Sequence, residues 1–223
     1  MNVILFGGTG MVGQGVLREC LLDPDVQRVL SIVRGPSGQQ DAKLREVVPT
    51  DFYDLSSIES ELSGYDACFF TLGVTSAGMD EQQYNHVTYD LTMAAARPLA
   101  RLNPGMTFIY VSGAGTDSSE SGRTMWARIK GKTENAILHL PFKAAYMFRP
   151  GFIQPLHGIT SKTKSYRILY AITTPIFPIL KAIFPRHIAT IEEIGRAMLN
   201  VARNGFSKSV LEASDIIYVA AAI

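Results

Sequence analysis

The chain has 223 residues, of which 47% are hydrophobic and 18% are charged, and its formal net charge is +1. This length and composition are typical of one globular α/β domain and exclude a disordered or coiled-coil protein. A net charge near zero creates no field that would attract nucleic acid or an anionic membrane, so a small-molecule ligand is favoured. We therefore treat residues 1–223 as a single domain.

The first apolar run, Val3-Ile4-Leu5-Phe6, has no basic flank and leads directly into glycines, which indicates a β-strand rather than a signal peptide. The most apolar stretch, from Ile168 to Leu180, contains two prolines and is too short to span a membrane. Cys20 and Cys68 are the only cysteines, and we predict that both are reduced core thiols. These features lead us to expect a cytoplasmic location.

Short apolar runs alternate with longer segments of helical periodicity over the first 150 residues. This pattern predicts a Rossmann-type, doubly wound parallel sheet with helices on both faces. The predicted strands are Asn2–Phe6, Val29–Arg34, Glu46–Thr50, Ala67–Leu72, Met106–Ser112 and Ala144–Arg149. The predicted helices are Gly13–Leu22, Asp80–Leu102, Thr124–His139 and Ile191–Asn204.

The alternation fails from Gly151 to Ala189, where prolines recur among apolar residues. We interpret residues 151–189 as a small helical cap over the carboxyl edge of the sheet, with the substrate pocket beneath it. The cap contains no polar constellation that would identify a substrate.

The glycine motif Gly7-Gly8-Thr9-Gly10-Met11-Val12-Gly13 follows the first predicted strand and opens the first predicted helix. That context is the one in which a dinucleotide-binding fingerprint occurs. Glycine permits a tight turn and lets a pyrophosphate approach the backbone, where helix N-terminal amides bind it. We predict cofactor contacts from Gly7, Thr9, Gly10, Met11, Val12 and Gly13.

Arg34 ends the second predicted strand, where an NAD enzyme would present Asp or Glu to the ribose hydroxyls. A guanidinium suits the 2′-phosphate of NADP instead. The sequence therefore predicts that NADP(H) is preferred, with NAD(H) as the alternative. Lys43 and Arg45 lie nearby, so an ordinary basic surface is the competing interpretation of Arg34.

Two further strand ends supply candidate adenosine contacts. The carboxylate of Asp54 either accepts a hydrogen bond from the adenine amino group or caps a helix that starts near Ser56. In Thr71-Leu72-Gly73-Val74, the small Gly73 would let adenosine pass close to the backbone, or it is a plain turn glycine. The predicted contacts here are Asp54, Leu55, Leu72, Gly73 and Val74.

Together these motifs resemble the atypical short-chain dehydrogenase/reductase superfamily, in particular its NAD(P)H-binding, NmrA-like and TIP30-like group. Besides the glycine motif and Arg34, the resemblance rests on Val111-Ser112-Gly113-Ala114-Gly115, Lys130-Gly131-Lys132-Thr133-Glu134 and Phe148-Arg149-Pro150-Gly151-Phe152. It implies that the nicotinamide lies near Ser112 and Lys130. It also implies cofactor contacts from Arg149, Pro150, Gly151 and Phe152.

Active members of this superfamily use a serine, a lysine, and a tyrosine four residues before the lysine, so that both side chains share one helix face. The lysine lowers the pKa of the phenol, which then exchanges a proton with the substrate. This chain has Trp126 four residues before Lys130. An indole N–H does not titrate near neutral pH, so the proton relay of the superfamily is broken.

Three explanations remain open. In the first, Lys130 still binds the ribose while water, the substrate or another residue, for which Tyr166 in the cap is a candidate, completes the proton transfer. In the second, the protein binds NADPH without turnover and acts as a sensor or regulator. In the third, the helix is offset and Lys132 is the functional lysine, although no tyrosine lies four residues before Lys132 either.

Our leading hypothesis is an NADP(H)-dependent reductase of a small carbonyl or conjugated substrate, in which Ser112 orients the substrate. The histidines are scattered without metal-site spacing, so we predict no metal. We expect the loop from Gly115 to Gly122 to be mobile. The run Ala94-Ala95-Ala96 on a predicted long helix would allow a homodimer.

Overall fold

The computed structural model describes residues 1–159, 183–184 and 186–222. Within them, a seven-stranded sheet and a separate two-stranded sheet form, and all of their strand pairs are parallel. The large sheet contains β1 (Asn2–Phe6), β2 (Arg28–Ile32), β3 (Leu44–Val47), β4 (Ala67–Phe70), β5 (Thr107–Val111), β6 (Ala144–Arg149) and β9 (Val210–Glu212). The small sheet pairs β7 (Phe152–Gln154) with β8 (Ile188–Thr190).

The described helices are α1 (Met11–Leu22), α2 (Glu81–Asn85), α3 (Leu91–Leu102), α4 (Met125–Leu138), α5 (Ile191–Asn204) and α6 (Ala213–Ala221). A 3₁₀ helix covers Leu55–Glu61, and a π-helical turn, His86–Asp90, joins α2 to α3. Most of the predicted cap, including Tyr166, lies outside the described residues.

Two hydrophobic cores lie on opposite faces of the sheet, because successive residues of a strand point to opposite sides. Val3 and Leu5 belong to the core that contains residues of α1, α5 and α6, whereas Ile4 and Phe6 belong to the core beside the 3₁₀ helix, α3 and α4. Both faces are therefore covered, and this is why the central strands are apolar throughout. Cys20 and Cys68 are buried in different cores and are not bonded to each other.

The strand order β3-β2-β1-β4-β5-β6-β9 gives the sheet a topological switch point. The chain first moves outward from β1 to β3 and then crosses back, so that β4 pairs with the other side of β1. In open parallel sheets, ligands bind beyond the carboxyl ends of the strands at such a point. This order confirms the predicted doubly wound, Rossmann-type fold and indicates where a ligand would bind.

All six predicted strands form, but some of their ends differ. The strand predicted at Glu46–Thr50 is β3 at Leu44–Val47. It is an edge strand with partly exposed residues, so the hydrophobic pattern of the sequence does not define its ends well. Likewise β2 ends at Ile32, so Arg34 lies two residues beyond it. The helix predicted from Asp80 to Leu102 is interrupted by the π-helical turn. The short β9 was not predicted, because three residues carry too little periodicity. The following α6 was not predicted either.

The small-residue run on α3 contributes mainly to the core. Ala95 and Ala96 are almost completely buried, whereas Ala94 lines an open surface cavity of about 350 Å³. The helix face available to a second copy therefore has only one of the three alanines, and the homodimer stays a prediction.

Helices α1 and α5 approach each other closely because glycines lie where they meet. A Cβ atom placed on Gly15 would lie 2.5 Å from the Cβ of Ile191, and one placed on Gly195 would lie 2.7 Å from the Cγ of Glu19. Real Cβ atoms do not approach other carbons this closely, so neither position accepts a side chain without movement of the helices.

We expect Gly15→Ala to lower the free energy of unfolding by about 1–3 kcal/mol, since overpacking outweighs the roughly 1 kcal/mol that alanine gains over glycine in a helix. Urea denaturation measures this change. Gly105→Ala is the control, because a Cβ there meets no atom within 4 Å and a change within about 0.5 kcal/mol is expected. An unchanged or increased stability of Gly15→Ala would show that the helices do not meet at this position.

Candidate functional site

The turn between β1 and α1 has no room for side chains. Gly7 has a positive φ of +85°, and a Cβ there would lie 2.7 Å from the Oγ1 of Thr71. A Cβ on Gly13 would lie only 2.0 Å from the carbonyl oxygen of Gly7, whereas the Gly10 amide donates to that same oxygen at 2.8 Å. The tight turn that the glycine motif predicts is therefore present, and both Gly7 and Gly13 are required by packing.

The N-terminus of α1 has free hydrogen-bonding capacity. Its N-cap residue is Gly10, which has no side chain to cap the helix, and the first turn contains no acidic residue. The first amides of a helix lack acceptors within it and carry the positive end of the helix dipole. Residues Thr9 to Val12 are partly exposed. The turn therefore presents N–H donors and a positive potential to an anion such as a pyrophosphate.

The glycine turn lies directly beside the end of β4. The Thr71 hydroxyl donates to the Phe6 carbonyl at 2.7 Å and joins the ends of β4 and β1. Beyond it, Leu72 is half-buried, whereas Gly73 and Val74 are exposed. A Cβ on Gly73 would meet nothing within 4 Å, so packing within the chain does not explain a glycine there.

Arg34 is exposed beyond β2 and has no hydrogen-bond or ion-pair partner among the described residues. Its two basic neighbours are engaged elsewhere. Lys43 donates to the carbonyl oxygens of Leu21 and Asp23 at the end of α1, and Arg45 forms an ion pair with Glu61. Arg34 is thus the cation of this group whose guanidinium is available to a ligand.

Asp54 caps the 3₁₀ helix, which is one of the two roles that the sequence allowed. Its Oδ1 atom accepts a hydrogen bond from the Ser56 amide at 2.9 Å, and this bond holds the pKa of the Asp54 carboxyl below its usual value. Leu55 is buried beside it. Since Asp54 itself is exposed, its contact with adenine stays a prediction.

A buried polar cluster lies where β5, β6 and α4 meet. Ser112 follows β5, and its hydroxyl donates to the carboxylate of Glu134 at 2.5 Å, with the carbonyl of Phe148 as a second acceptor at 3.2 Å. Glu134 is only 1% exposed. In the sequence, Glu134 ends the motif Lys130-Gly131-Lys132-Thr133-Glu134, but we predicted no role for it. The feature that could have identified it is a carboxylate on the inner face of an amphipathic helix, where a charge is expected only with a partner.

Arg149, the last residue of β6, is that partner. Its Nε donates to Glu134 Oε1 at 3.0 Å and its Nη2 donates to Oε2. The guanidinium also contacts Ser118 and Glu212. Its hydrogen bond with Glu134 raises the pKa of Arg149 above its ordinary value. The Arg149 guanidinium is therefore engaged inside the protein, and its contact with a cofactor stays a prediction.

Lys130 lies one helical turn before Glu134 on α4, and its ammonium group donates to the backbone carbonyl of Ser112. Removal of this group from water lowers its pKa to about 8, although the Glu134 carboxylate acts in the opposite direction. Lys132 points elsewhere, since it donates to Asn85 at 3.0 Å and lies 4.2 Å from the centre of the Tyr89 ring. The structure therefore brings Lys130, and not Lys132, to Ser112.

Trp126 lies at the start of α4, against the loop that follows β5. A Cβ on Gly115 would lie 3.5 Å from the Trp126 ring. That loop is held against α4, because the Asp117 amide donates to the Ala127 carbonyl and the Asn135 side chain donates to the Ser118 carbonyl. Within the loop, the Asp117 carboxylate accepts from the Gly122 amide. These contacts are contrary to the mobility that we expected for residues 115–122.

The residues after β6 continue along the same edge of the sheet. The Pro150 carbonyl accepts a hydrogen bond from the Ala114 amide at 3.0 Å. A Cβ on Gly151 would lie 2.8 Å from the His187 carbonyl oxygen, so close packing requires glycine there. Phe152 is 67% exposed, which is unusual for a large aromatic side chain. Among the described residues, no group of His, Cys, Asp or Glu is arranged to hold a metal ion.

Comparison with known proteins gave no matching family model. Among curated proteins, the chain is similar to the protein Fmp52, mitochondrial, of Emericella nidulans, with 33% identity over 159 residues. It is also similar to the leucinostatins biosynthesis cluster protein T of Purpureocillium lilacinum, with 32% identity over 170 residues. These alignments cover 68% and 72% of this chain. They cover 66% and 61% of the relatives, so the chain spans less than two thirds of the length of each.

Solved structures resemble the chain over almost its whole length. They include a short-chain dehydrogenase family protein from Francisella tularensis, with a TM-score of 0.68 and 15% identity, aligned over 96% of this chain and 98% of that one. The enzyme WbmF of Bordetella bronchiseptica, determined in complex with NAD⁺, has a TM-score of 0.67 and 15% identity, with coverages of 97% and 76%. The chain has the fold of the short-chain dehydrogenases/reductases. At this level of identity the likeness concerns the fold alone.

The cytoplasmic location predicted from the sequence is contradicted by the relatives. The similar proteins of Emericella nidulans, Aspergillus oryzae and Eremothecium gossypii are all named as mitochondrial. The prediction rested on the apolar first strand, which indicates the fold but not the subcellular location. In the part of the chain that the structure describes, no helix is long and apolar enough to cross a membrane.

We expect Arg149→Met to lower the free energy of unfolding by about 3–5 kcal/mol, because it leaves the buried Glu134 carboxylate without its cation. Arg101→Met is the matched control. It removes an exposed pair with Glu59, in which the two side chains are 61% and 41% accessible, and should cost at most about 1 kcal/mol. Urea denaturation of both variants tests the comparison, and equal effects would mean that the Glu134–Arg149 pair is solvated.

Proposed function

We propose that this protein binds NADP(H) and reduces a small carbonyl or conjugated substrate. The observation that carries the proposal is the uncapped N-terminus of α1 behind a turn in which no side chain fits, at the topological switch point of the sheet. Dinucleotides bind at this position in Rossmann-type folds. When bound, the reduced dinucleotide would supply a hydride.

The residues around the switch point fit the parts of such a cofactor. The amides from Thr9 to Val12 would bind the pyrophosphate, and Arg34, which has no internal partner among the described residues, would bind the 2′-phosphate. Lys130 would hold the nicotinamide ribose near Ser112. The adenosine would contact Asp54, Leu55, Leu72, Gly73 and Val74, and the far side of the nicotinamide would contact Pro150, Gly151 and Phe152.

The comparisons support this proposal without deciding its details. One structural neighbour is an enzyme in complex with NAD⁺, and another is the reductase domain of PhqB from Penicillium fellutanum. Within the superfamily we propose the atypical NmrA-like and TIP30-like group, on the glycine motif, Arg34 and the motifs that follow β5, lie on α4 and end β6. The names of the Fmp52 relatives make mitochondria the compartment in which to look for its substrate.

We expect Arg34→Ala to weaken NADPH binding by about tenfold or more and to leave NADH binding unchanged, because a charge-assisted bond to a phosphate contributes roughly 1.5–3 kcal/mol. Trp126 is the only tryptophan of the chain, so its fluorescence reports binding at the candidate site. Arg45→Ala is the control, because Arg45 already pairs with Glu61. Tighter binding of NADH than of NADPH, unaffected by Arg34→Ala, would contradict the NADP preference.

Replacement of Trp126 by tyrosine tests whether the rest of the site is assembled for reduction. We expect Trp126→Tyr to increase the NADPH-dependent reduction of a panel of aldehydes and quinones at least about tenfold, because a phenol beside Lys130 can transfer a proton. Trp126→Phe, which has no hydroxyl, should show no gain. In these variants, the emission of NADPH itself reports binding.

A sensor without catalytic activity is the competing function, favoured by the same loss of tyrosine. Tight NADPH binding with no substrate-dependent oxidation in the wild type, and none in Trp126→Tyr, would support the sensor and overturn the reductase.

A further inference from the structure

The loss of tyrosine removes one proton donor from the site, and the structure shows that the serine cannot replace it. Ser112 has one hydroxyl proton, and both of its internal partners, the Glu134 carboxylate and the Phe148 carbonyl, are acceptors. The proton is therefore directed inward. Turning it toward a substrate would give up a hydrogen bond to a charged group. Toward a ligand, Ser112 can accept a hydrogen bond but not donate one.

Two other hydroxyl groups near the end of β5 are also committed. Thr116 is buried, and its hydroxyl donates to the Gly113 carbonyl at 2.7 Å. Tyr110 is completely buried in the core, where its hydroxyl interacts with Thr92 and Thr133, and burial raises the pKa of its phenol. The cation at the start of α4, Arg128, donates to Gly122 and Glu81.

Lys130 is the remaining titratable donor of this cluster among the described residues. Its ammonium group has three N–H bonds, and the Ser112 carbonyl accepts one of them. The ammonium group therefore lies at the carboxyl edge of the sheet with two further protons available. Trp126 lies one turn earlier on the same helix and is half-buried.

We propose that Lys130 is the proton donor of this site, and that Glu134 is a positioning residue that makes Ser112 a hydrogen-bond acceptor. This inference rests on the proposed reductase function. When bound, the reduced dinucleotide would supply a hydride to the substrate carbon, and the electron pair of the C=O π bond would pass to the oxygen. The oxygen then takes a proton from the ammonium group, so that one N–H bond breaks and one O–H bond forms. The neutral amine recovers a proton from water.

The charges around Lys130 suit this role. Glu134 on α4 is the carboxylate that acts on it, and Arg149 of β6 holds Glu134 in an ion pair. Burial lowers the pKa of the Lys130 ammonium to about 8, so it is protonated at neutral pH and yet gives up its proton more readily than an exposed lysine. The reduction rate should therefore fall as the pH rises above about 8.

The test uses the full chain, NADPH, and phenanthrenequinone as the carbonyl probe. Lys130→Ala should lower kcat by about a hundredfold or more, the usual contribution of a general acid. Small primary amines of similar size but different pKa, such as ethylamine, ethanolamine and fluoroethylamine, should restore activity. If a proton is transferred, the restored rate depends on the pKa of the amine. Lys132→Ala is the matched control and should keep the wild-type rate, because Lys132 faces Asn85 and Tyr89.

Two readouts do not depend on turnover. Trp126 fluorescence should show that Lys130→Arg binds NADPH within about threefold of the wild type, since arginine can keep the hydrogen bond to the ribose. In the ¹⁵N-lysine-labelled protein, the NMR signal that disappears in Lys130→Arg should titrate near pH 8. Lys130→Arg also serves where Lys130→Ala fails to fold, and its rate should be low and free of the fall above pH 8, because guanidinium stays protonated.

The outcomes separate this inference from the proposed function. Rescue that is independent of amine pKa, or titration of Lys130 with the ordinary lysines, overturns the proton-donor role and leaves the reductase function standing. Wild-type protein that binds NADPH but does not reduce the probe overturns the reductase function and this inference together. Rescue that follows the pKa of the amine, with a Lys132→Ala variant that behaves as wild type, supports both.

Discussion

The structure depends on a steric constraint at the turn between β1 and α1. A side chain on Gly13 would collide with the Gly7 carbonyl, and one on Gly7 would collide with Thr71 at the end of β4. Because both positions are glycine, α1 begins immediately beyond the strand, with its free amides at the switch point of the sheet. The close approach of α1 to α5 at Gly15 and Gly195 then holds the helix in that position.

A second constraint acts on the other half of the site. Glu134 is buried on α4, and a carboxylate in such a position needs partners. It finds them in Arg149 at the end of β6 and Ser112 at the end of β5, so one side chain links two strands to a helix. The same bonds that satisfy the charge also set the direction of the serine proton. A packing requirement thereby determines what Ser112 can do chemically.

These two constraints bear on the reduction that we propose. A tryptophan in place of the superfamily's tyrosine would leave the serine as the hydroxyl donor of the site. Because the Ser112 hydroxyl is already engaged, we propose the Lys130 ammonium as the titratable donor of the cluster formed by Ser112, Lys130, Glu134 and Arg149. In this proposal the chemistry depends on a single cation beside the buried ion pair of Glu134 and Arg149.

The sequence by itself determined the fold class and the glycine turn, because apolar periodicity and glycine spacing are local properties of the chain. It did not determine the partners of its polar residues. Arg149 pairs with Glu134, fifteen positions earlier, and Asp54 caps a helix. Such pairings depend on which strand ends meet. The tertiary structure alone therefore decided that Lys43 and Arg45 are engaged while Arg34 is available, and that the glycine turn lies beside Thr71.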